Sequence, residues 1–424
     1  MRCLLLISCL AIAQVAGAEA SELGGQVRRL VRQLDHDELS KREAAERALV
    51  ELGPEVLEHL LPANARTPAE VKARLERIVS VLEQTAAEAA VAATHVTLNG
   101  NLLMSEVFAE INQQTGNKIV DFRENFGQEA TDEQVAVDFD ETPFWQALDT
   151  VLDQLNMVPY AYGGQPGAVT VVAAEPGQLP SASRVSYGGL FRLEATQVEA
   201  TRDLRNPANE GLRLNLEIMW EPRLTPISLQ QPLDQLIALD EDGTAVEIDG
   251  RQGAPESAVQ SRVSAVELNL PLKLPARGVQ RIAELRGTLL ALVPGRVAAY
   301  EFDRLPEAKN VEQRKAGVTV VVEQLRKNGP IFEVAMLVRF DDAANALESH
   351  RGWIYANPAL MLDPEGNEIP NAGFETYRQT PNEIGLRYKF DLPEVSDDHR
   401  FVYRTPAALV KIPVAYVIKD IGLP

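Results

Sequence analysis

From about residue 184 to the C-terminus, apolar and polar residues alternate in short runs, and turn-forming residues break the runs apart. Phe191 to Val198, Leu212 to Trp220 and Ala265 to Leu272 alternate in this way, as do Val318 to Val322, Phe332 to Phe340 and Gly385 to Phe390. A period of two puts successive side chains on opposite faces of a strand, so each run can bury one face and leave the other wet. Strands this short and numerous bury those faces by stacking sheet on sheet.

Landmarks recur in order along this stretch. Leu239-Asp240-Glu241-Asp242-Gly243 returns as Leu362-Asp363-Pro364-Glu365-Gly366, and Lys273-Leu274-Pro275 as Asp391-Leu392-Pro393. Val297-Ala298-Ala299-Tyr300, followed by Leu305-Pro306, returns as Val414-Ala415-Tyr416, followed by Leu423-Pro424. The order predicts a tandem duplication, with one β-sandwich over 184–306 and a second over 317–424. In size and strand spacing each is similar to an immunoglobulin-like sandwich, without the usual inter-sheet disulfide. Asp240 and Asp363 are expected at matching hairpin turns, where the glycine supplies positive φ.

The N-terminus carries a different signal. Arg2 precedes an apolar run from Cys3 to Ala13, and Ala16-Gly17-Ala18 closes it. That order is the signature of a secretory signal peptide over 1–18, cleaved after Ala18, with Ala20 as the alternative. The run is shorter than the roughly 20 apolar residues that span a bilayer. Both cysteines, Cys3 and Cys9, lie within it. The mature chain is therefore expected to lack thiols, which excludes disulfide frameworks, thiolate nucleophiles and cysteine-ligated metals. A formal charge of −20 argues against nucleic acid as a partner. No second apolar run reaches membrane-spanning length, so no transmembrane segment is expected in the mature chain.

Residues 21–92 read as helices. Val27, Leu30, Val31 and Leu34 share one helical face. Ser40-Lys41-Arg42-Glu43 and Thr67-Pro68-Ala69-Glu70 have the form of capping boxes. Gly53 stops one helix and Pro54 suits the first turn of the next. The phrase from Leu34 to Leu61, with its Arg-Glu-Ala-Ala run and Leu52-Gly53-Pro54, resembles a HEAT-like helical repeat, which implies a protein-interaction surface. Ala86 to Ala93 reads as a helical tail running into a linker.

Between 94 and 174 the pattern becomes strand–helix–strand, then strand–helix–hairpin. Val96-Thr97-Leu98-Asn99, the helix ending Gln114-Thr115-Gly116-Asn117, Val135-Ala136-Val137-Asp138 and Thr142-Pro143-Phe144-Trp145-Gln146-Ala147-Leu148 carry it. These residues resemble the short N-terminal domain of secretins and TonB-dependent receptors. The resemblance implies periplasmic docking or signalling.

Chemistry is sparse by comparison. No two of His36, His59, His95, His350 and His399 have metal-ligand spacing. No nucleophile elbow occurs, and Ser186-Tyr187-Gly188-Gly189 reads as a loop entering a strand. Gly163-Gly164-Gln165-Pro166-Gly167 joins two strands, whereas a phosphate cradle opens a helix. Asp240 to Gly243 has its glycine too early for a calcium loop. No catalytic, cofactor or metal residue is expected. The sequence offers one partner-binding feature, Trp220, Glu221 and Arg223 at a strand end, because tryptophan and arginine are enriched at binding hot spots.

The expected protein is a multi-domain α+β chain: helical hairpins, a small secretin-type α/β domain, then two tandem immunoglobulin-like sandwiches. Its expected role is a non-catalytic envelope scaffold, periplasmic or extracellular, that binds envelope proteins or surface polymers. The alternatives are an accessory component of a secretion or TonB-type system, and a hydrolase with a carboxylate site that no motif marks.

Overall fold

The computed structural model describes residues 22–60, 67–165, 167–178, 184–206, 210–259, 263–315, 318–340, 354–355, 357–380 and 382–424. The expected signal peptide and its cleavage site at Ala18 lie outside the described residues, as does His350. The fold is mixed α+β, with helices near the N-terminus and antiparallel sheets over most of the chain.

Helix α1 occupies 22–33, α2 Leu39–Glu51 and α3 Ala69–Val91, with a 3-10 turn at Pro54–Glu58. Val27, Leu34, Leu49, Val56, Ile78 and Leu82 meet in one core. Gly53, at φ 83°, turns the chain after α2, but Pro54 opens a 3-10 turn where a second α-helix was expected. The helix starts differ from the expected capping boxes. Helix α2 begins at Leu39, ahead of Ser40, and α3 begins after Pro68, each without a side-chain cap. Glu70 bonds Arg42 and Arg74, and Glu46 bonds Arg74 and Arg77, tying α2 to α3. The alanine-rich end of α3 is docked as well, and no free linker follows it. Ala87 and Val91 enter the core of the first β unit, and the Leu190 amide donates to the Val91 carbonyl at 2.8 Å.

The α/β unit contains β1 (His95–Leu103), α4 (Met104–Thr115), β2 (Lys118–Asp121), β3 (Gln134–Pro143), α5 (Phe144–Gln154), β4 (Met157–Tyr160) and β5 (Ala168–Ala173). The strand–helix alternation matches the sequence pattern. β1 pairs antiparallel with β3, while β5 lies between β2, which runs parallel to it, and β4, which runs antiparallel. The helices bury Val107, Ile111, Leu148 and Leu152 against these sheets.

The first β region comprises β6 (Val185–Gly188), β7 (Phe191–Arg202), β8 (Glu210–Trp220), β9 (Ser228–Gln230), β10 (Leu236–Asp240), β11 (Ala245–Val246), β12 (Glu256–Ala258), β13 (Ala265–Leu272) and β14 (Arg281–Phe302). The second comprises β15 (Lys309–Lys315), β16 (Val318–Asn328), β17 (Ile331–Phe340), β18 (Ala359–Leu362), β19 (Glu368–Pro370), β20 (Gly373–Thr380), β21 (Glu383–Asp391) and β22 (Arg400–Gly422). Ser186 sits within β6, where a loop was expected, and its hydroxyl accepts from the Val417 amide.

The long strands organise the rest. β14 has 22 residues and β22 has 23, against a usual length of about 5–6. They pair antiparallel from Arg281 with Gly422 to Phe302 with Phe401. At about 3.3 Å per residue this ribbon is on the order of 70 Å long, enough to run through two cores. Sheet order is β13-β8-β7-β6 on one layer and β11-β10-β14-β22-β18-β19 on the other. A third sheet, β15-β16-β17-β21-β20, covers the far end of the ribbon.

The strand order around the two cores is the same where β6-β7-β8-β13 is compared with β15-β16-β17-β21, and β11-β10-β14 with β19-β18-β22. Asp240 and Asp363 open the two edge hairpins. The amide of Gly243 donates to the Asp240 carbonyl and that of Gly366 to the Asp363 carbonyl, both glycines at positive φ.

The ranges 184–306 and 317–424 nevertheless do not each enclose a core. Ile412, Val414, Tyr416 and Ile418 of β22 fill the first core beside Leu214, Leu216 and Leu268. Ala298, Tyr300 and Phe302 of β14 fill the second, beside Val320, Met336 and Leu386. Each long strand begins in its own unit and ends in the other. Tyr416 crosses Gly287, its ladder partner, so closely that a Cβ on Gly287 would stand 2.5 Å from the phenol oxygen.

Candidate functional site

The alternation of β7 puts Phe191 and Leu193 into the first core and turns Arg192 and Glu194 to the opposite face. That face would be solvated but for α5, which lies over it and brings Asp149 to Arg192. The Arg192 Nε donates to both Asp149 oxygens, at 2.8 and 3.2 Å, and Nη1 donates to Glu194 Oε2 at 2.8 Å. Tyr187 from β6 donates its hydroxyl to Asp149 Oδ2 at 2.7 Å. Burial disfavours the charged guanidinium, but the Asp149 and Glu194 carboxylates outweigh it and hold the Arg192 pKa above its ordinary value. Arg192 Nη2 is buried and has no hydrogen-bond partner.

One ladder step along, three glutamates stand side by side: Glu194 on β7, Glu217 on β8 and Glu267 on β13. Glu194 bonds Arg192 and Arg184, and Glu267 accepts from the Tyr162 hydroxyl at 3.5 Å. Among the described residues, the Glu217 side chain makes no hydrogen bond or ion pair. Burial pushes its carboxyl above the usual range, Arg192 opposes, and the Glu194 and Glu267 charges add to the rise.

Arg192, Glu194 and Glu217 line a cleft of about 650 Å³ between the α/β unit and the first β unit. Its other wall carries Phe126 and Tyr160, in edge-to-face contact at 5.2 Å, with Tyr162 next in line at 5.9 Å from Tyr160. Phe126 is 52% exposed and Tyr162 54%. A second cavity, of about 530 Å³, lies between α4 and β2. The buried Arg123 at its edge is engaged by Asp121 and by the Thr131 carbonyl.

The sequence-derived residues lie elsewhere; Trp220 and Glu221 face inward, while Arg223 is exposed. Trp220 is 2% exposed and belongs to the first core. Glu221 is fully buried and accepts from the Thr94 amide and hydroxyl, from Asn117 Nδ2 and from Arg223 Nε, all within 2.8–2.9 Å. Arg223 also donates to the Ala92 carbonyl. The expected ligand-facing edge is instead a clamp between the α/β unit and the first β unit. Trp220 packs in the core and four donors take up the Glu221 carboxylate, while Arg223 stays exposed. Among the described residues no group of three or more His, Cys, Asp or Glu side chains could hold a metal ion, and no helix is long and apolar enough to cross a membrane.

Sequence reasoning missed Arg192, Glu217 and Asp149. The first two sit on the polar side of alternating strands and read as solvated. Asp149 carried the available signal, an acid beside the apolar positions Trp145, Leu148 and Leu152 of one helix, where burial calls for a hydrogen-bonding or charged partner.

No protein-family model, no curated protein and no solved structure matches the chain.

Proposed function

We propose that this chain is a non-catalytic exported envelope protein that binds an envelope protein or surface polymer in the cleft between its α/β unit and its first β unit. The observation that carries the reading is one unmet buried group, the Arg192 Nη2 donor, in a residue that lines the cleft beside the partly exposed Glu217 carboxylate. Buried polar groups are normally paired, and leaving one unpaired costs about 1–3 kcal/mol, which a bound partner would recover. Export rests on the N-terminal pattern ending at Ala18. The β units are read as tandem immunoglobulin-like sandwiches that arose by duplication, supported by their common strand order. Tyr300 follows the Leu239–Glu284 pair by as many residues as Tyr416 follows the Leu362–Arg400 pair. The helical segment is read as HEAT-like. The test is an affinity capture from the native envelope fraction, comparing the wild-type chain with Glu217→Gln. The expected result is a component held by the wild type and lost with the variant; equal capture by both would overturn the assignment of the cleft.

Two further readings each have an observation behind them. The order β1-α4-β2 then β3-α5-β4-β5 favours an accessory role in a secretion or TonB-type system. Capture of a membrane partner by residues 94–174, unaffected by Glu217→Gln, would support it. The raised carboxyl of Glu217 beside Glu194 favours a hydrolase, since general acid catalysis uses such a group. Turnover on a glycan or peptide panel, lost in Glu217→Gln, would support that.

A further inference from the structure

We infer that the ligand of this cleft is a neutral, hydroxyl-rich saccharide; the inference rests on the cleft being the binding site. Three features of the walls constrain the ligand together. Arg192 Nη2 is a buried donor that needs an acceptor. Glu217, in the same lining, is an acceptor without a donor. An anion would answer the first need, but it would sit against Glu194 and Glu217 with Asp149 close behind. An organic cation would answer the second, but it would stand beside the Arg192 guanidinium and leave Nη2 unmet. A hydroxyl group both donates and accepts, and carries no charge. Adjacent ring hydroxyls can accept from Arg192 and donate to Glu217 at once.

The opposite wall supplies the remaining part. Phe126 and Tyr160 offer ring surface that no other described aromatic covers face to face, since their mutual contact is edge-on. The apolar C–H face of a sugar ring packs on such a surface, while its hydroxyl rim points to the polar wall. Gln128 and Thr196 border the same space. The volume, about 650 Å³, falls within the range of about 300–1,000 Å³ typical of small-ligand sites. It suits a few sugar rings, either free or as a segment of an envelope polysaccharide.

The test is calorimetric titration of the full chain with cellotriose, maltotriose and triacetylchitotriose, and separately with polysaccharide extracted from the native envelope. Spermidine and inorganic phosphate serve as the charged probes. The expected result is binding of at least one neutral saccharide, weakened at least tenfold by Phe126→Ala and by Glu217→Gln, with neither charged probe competing. Phe126 is half exposed, so its truncation leaves the fold intact, and circular dichroism checks both variants. Binding of the trisaccharides alone identifies a free oligosaccharide, and binding of the polysaccharide alone a surface polymer; either supports the inference. Spermidine or phosphate binding that depends on Glu217 or Arg192, or no saccharide bound in either arm, overturns it. If envelope capture still depends on Glu217 while no saccharide binds, the cleft stands as the site and only the ligand class falls. If a saccharide binds and is cleaved, the ligand class stands and the non-catalytic reading falls.

Discussion

The exchange of strand ends makes a prediction that sequence position alone would get backwards. Tyr416 lies near the C-terminus, yet its ring belongs to the first core, over Gly287, with its hydroxyl donated to Gln231 Oε1 at 2.9 Å. Truncating a buried aromatic to alanine costs about 3–5 kcal/mol. The buried Gln231 oxygen also loses its donor, which adds about 1–3 kcal/mol. A unit of this kind is stable by about 5–15 kcal/mol, so Tyr416→Ala removes a large part of what holds the first core together. With a tenfold change for each 1.4 kcal/mol, the aromatic loss alone lowers protection by about a hundred- to several-thousand-fold. Hydrogen exchange read by mass spectrometry should place that loss in β7, β8 and β13, with β16, β17 and β21 largely unchanged. Tyr300→Ala should do the converse. Tyr300 is in β14 but packs in the second core, where its hydroxyl donates to the carbonyls of Lys315 and Val318. Loss of protection in residues 318–391 on truncating Tyr416, or in 191–272 on truncating Tyr300, would refute the strand exchange.

Glu217→Gln should stabilise the protein at neutral pH and leave it nearly unchanged near pH 4. The folded carboxyl titrates above its unfolded value, so the folded state binds more protons and wild-type stability falls as pH rises from the ordinary glutamate range through the raised pKa. Urea midpoints of wild type and variant at both pH values check this, and a difference independent of pH would count against it. Glu221→Ala should strand the donors at Thr94, Asn117 and Arg223, at about 1–3 kcal/mol for each buried group left unmet. Amide exchange should then rise at Thr94 and at the start of β2 before either β core opens. N-terminal sequencing of the localised protein should begin at Glu19, or at Ser21 if Ala20 is the site used; an intact Met1 would sink the export reading.

Much of the layout is written in the sequence. β13 has the bounds that alternation implies, because Val266, Leu268 and Leu270 face one core and Glu267 and Asn269 do not. The ribbon was not legible, and proline explains why. Pro294, Pro406 and Pro413 read as strand ends, since proline cannot donate to a ladder. Each of them lies in β14 or β22 where, among the described strands, the chain has a neighbour on one side only: β10 and β9 reach β14 only as far as Leu292, and β18 leaves β22 after Tyr403. The missing amide can face the open side, because each long strand has two ladder neighbours only along its first part and is an edge beyond it.

The cleft was hidden for a related reason. Alternation tells which side of a strand avoids its own core, and it is silent on what another element will lay over that side. Arg192 and Glu217 satisfy the period-two rule, and their burial comes from α5 and the β4–β5 hairpin, which are distant in sequence. A rule that works by contrast between faces must treat a docked polar face as a wet one. The exception is where the covering element carries the mark itself. Asp149 breaks the apolar face of α5, and a buried carboxylate requires a cation within hydrogen-bond reach. In the structure that cation is Arg192, which makes its side of β7 a contact surface and, with it, the wall on which Glu217 stands.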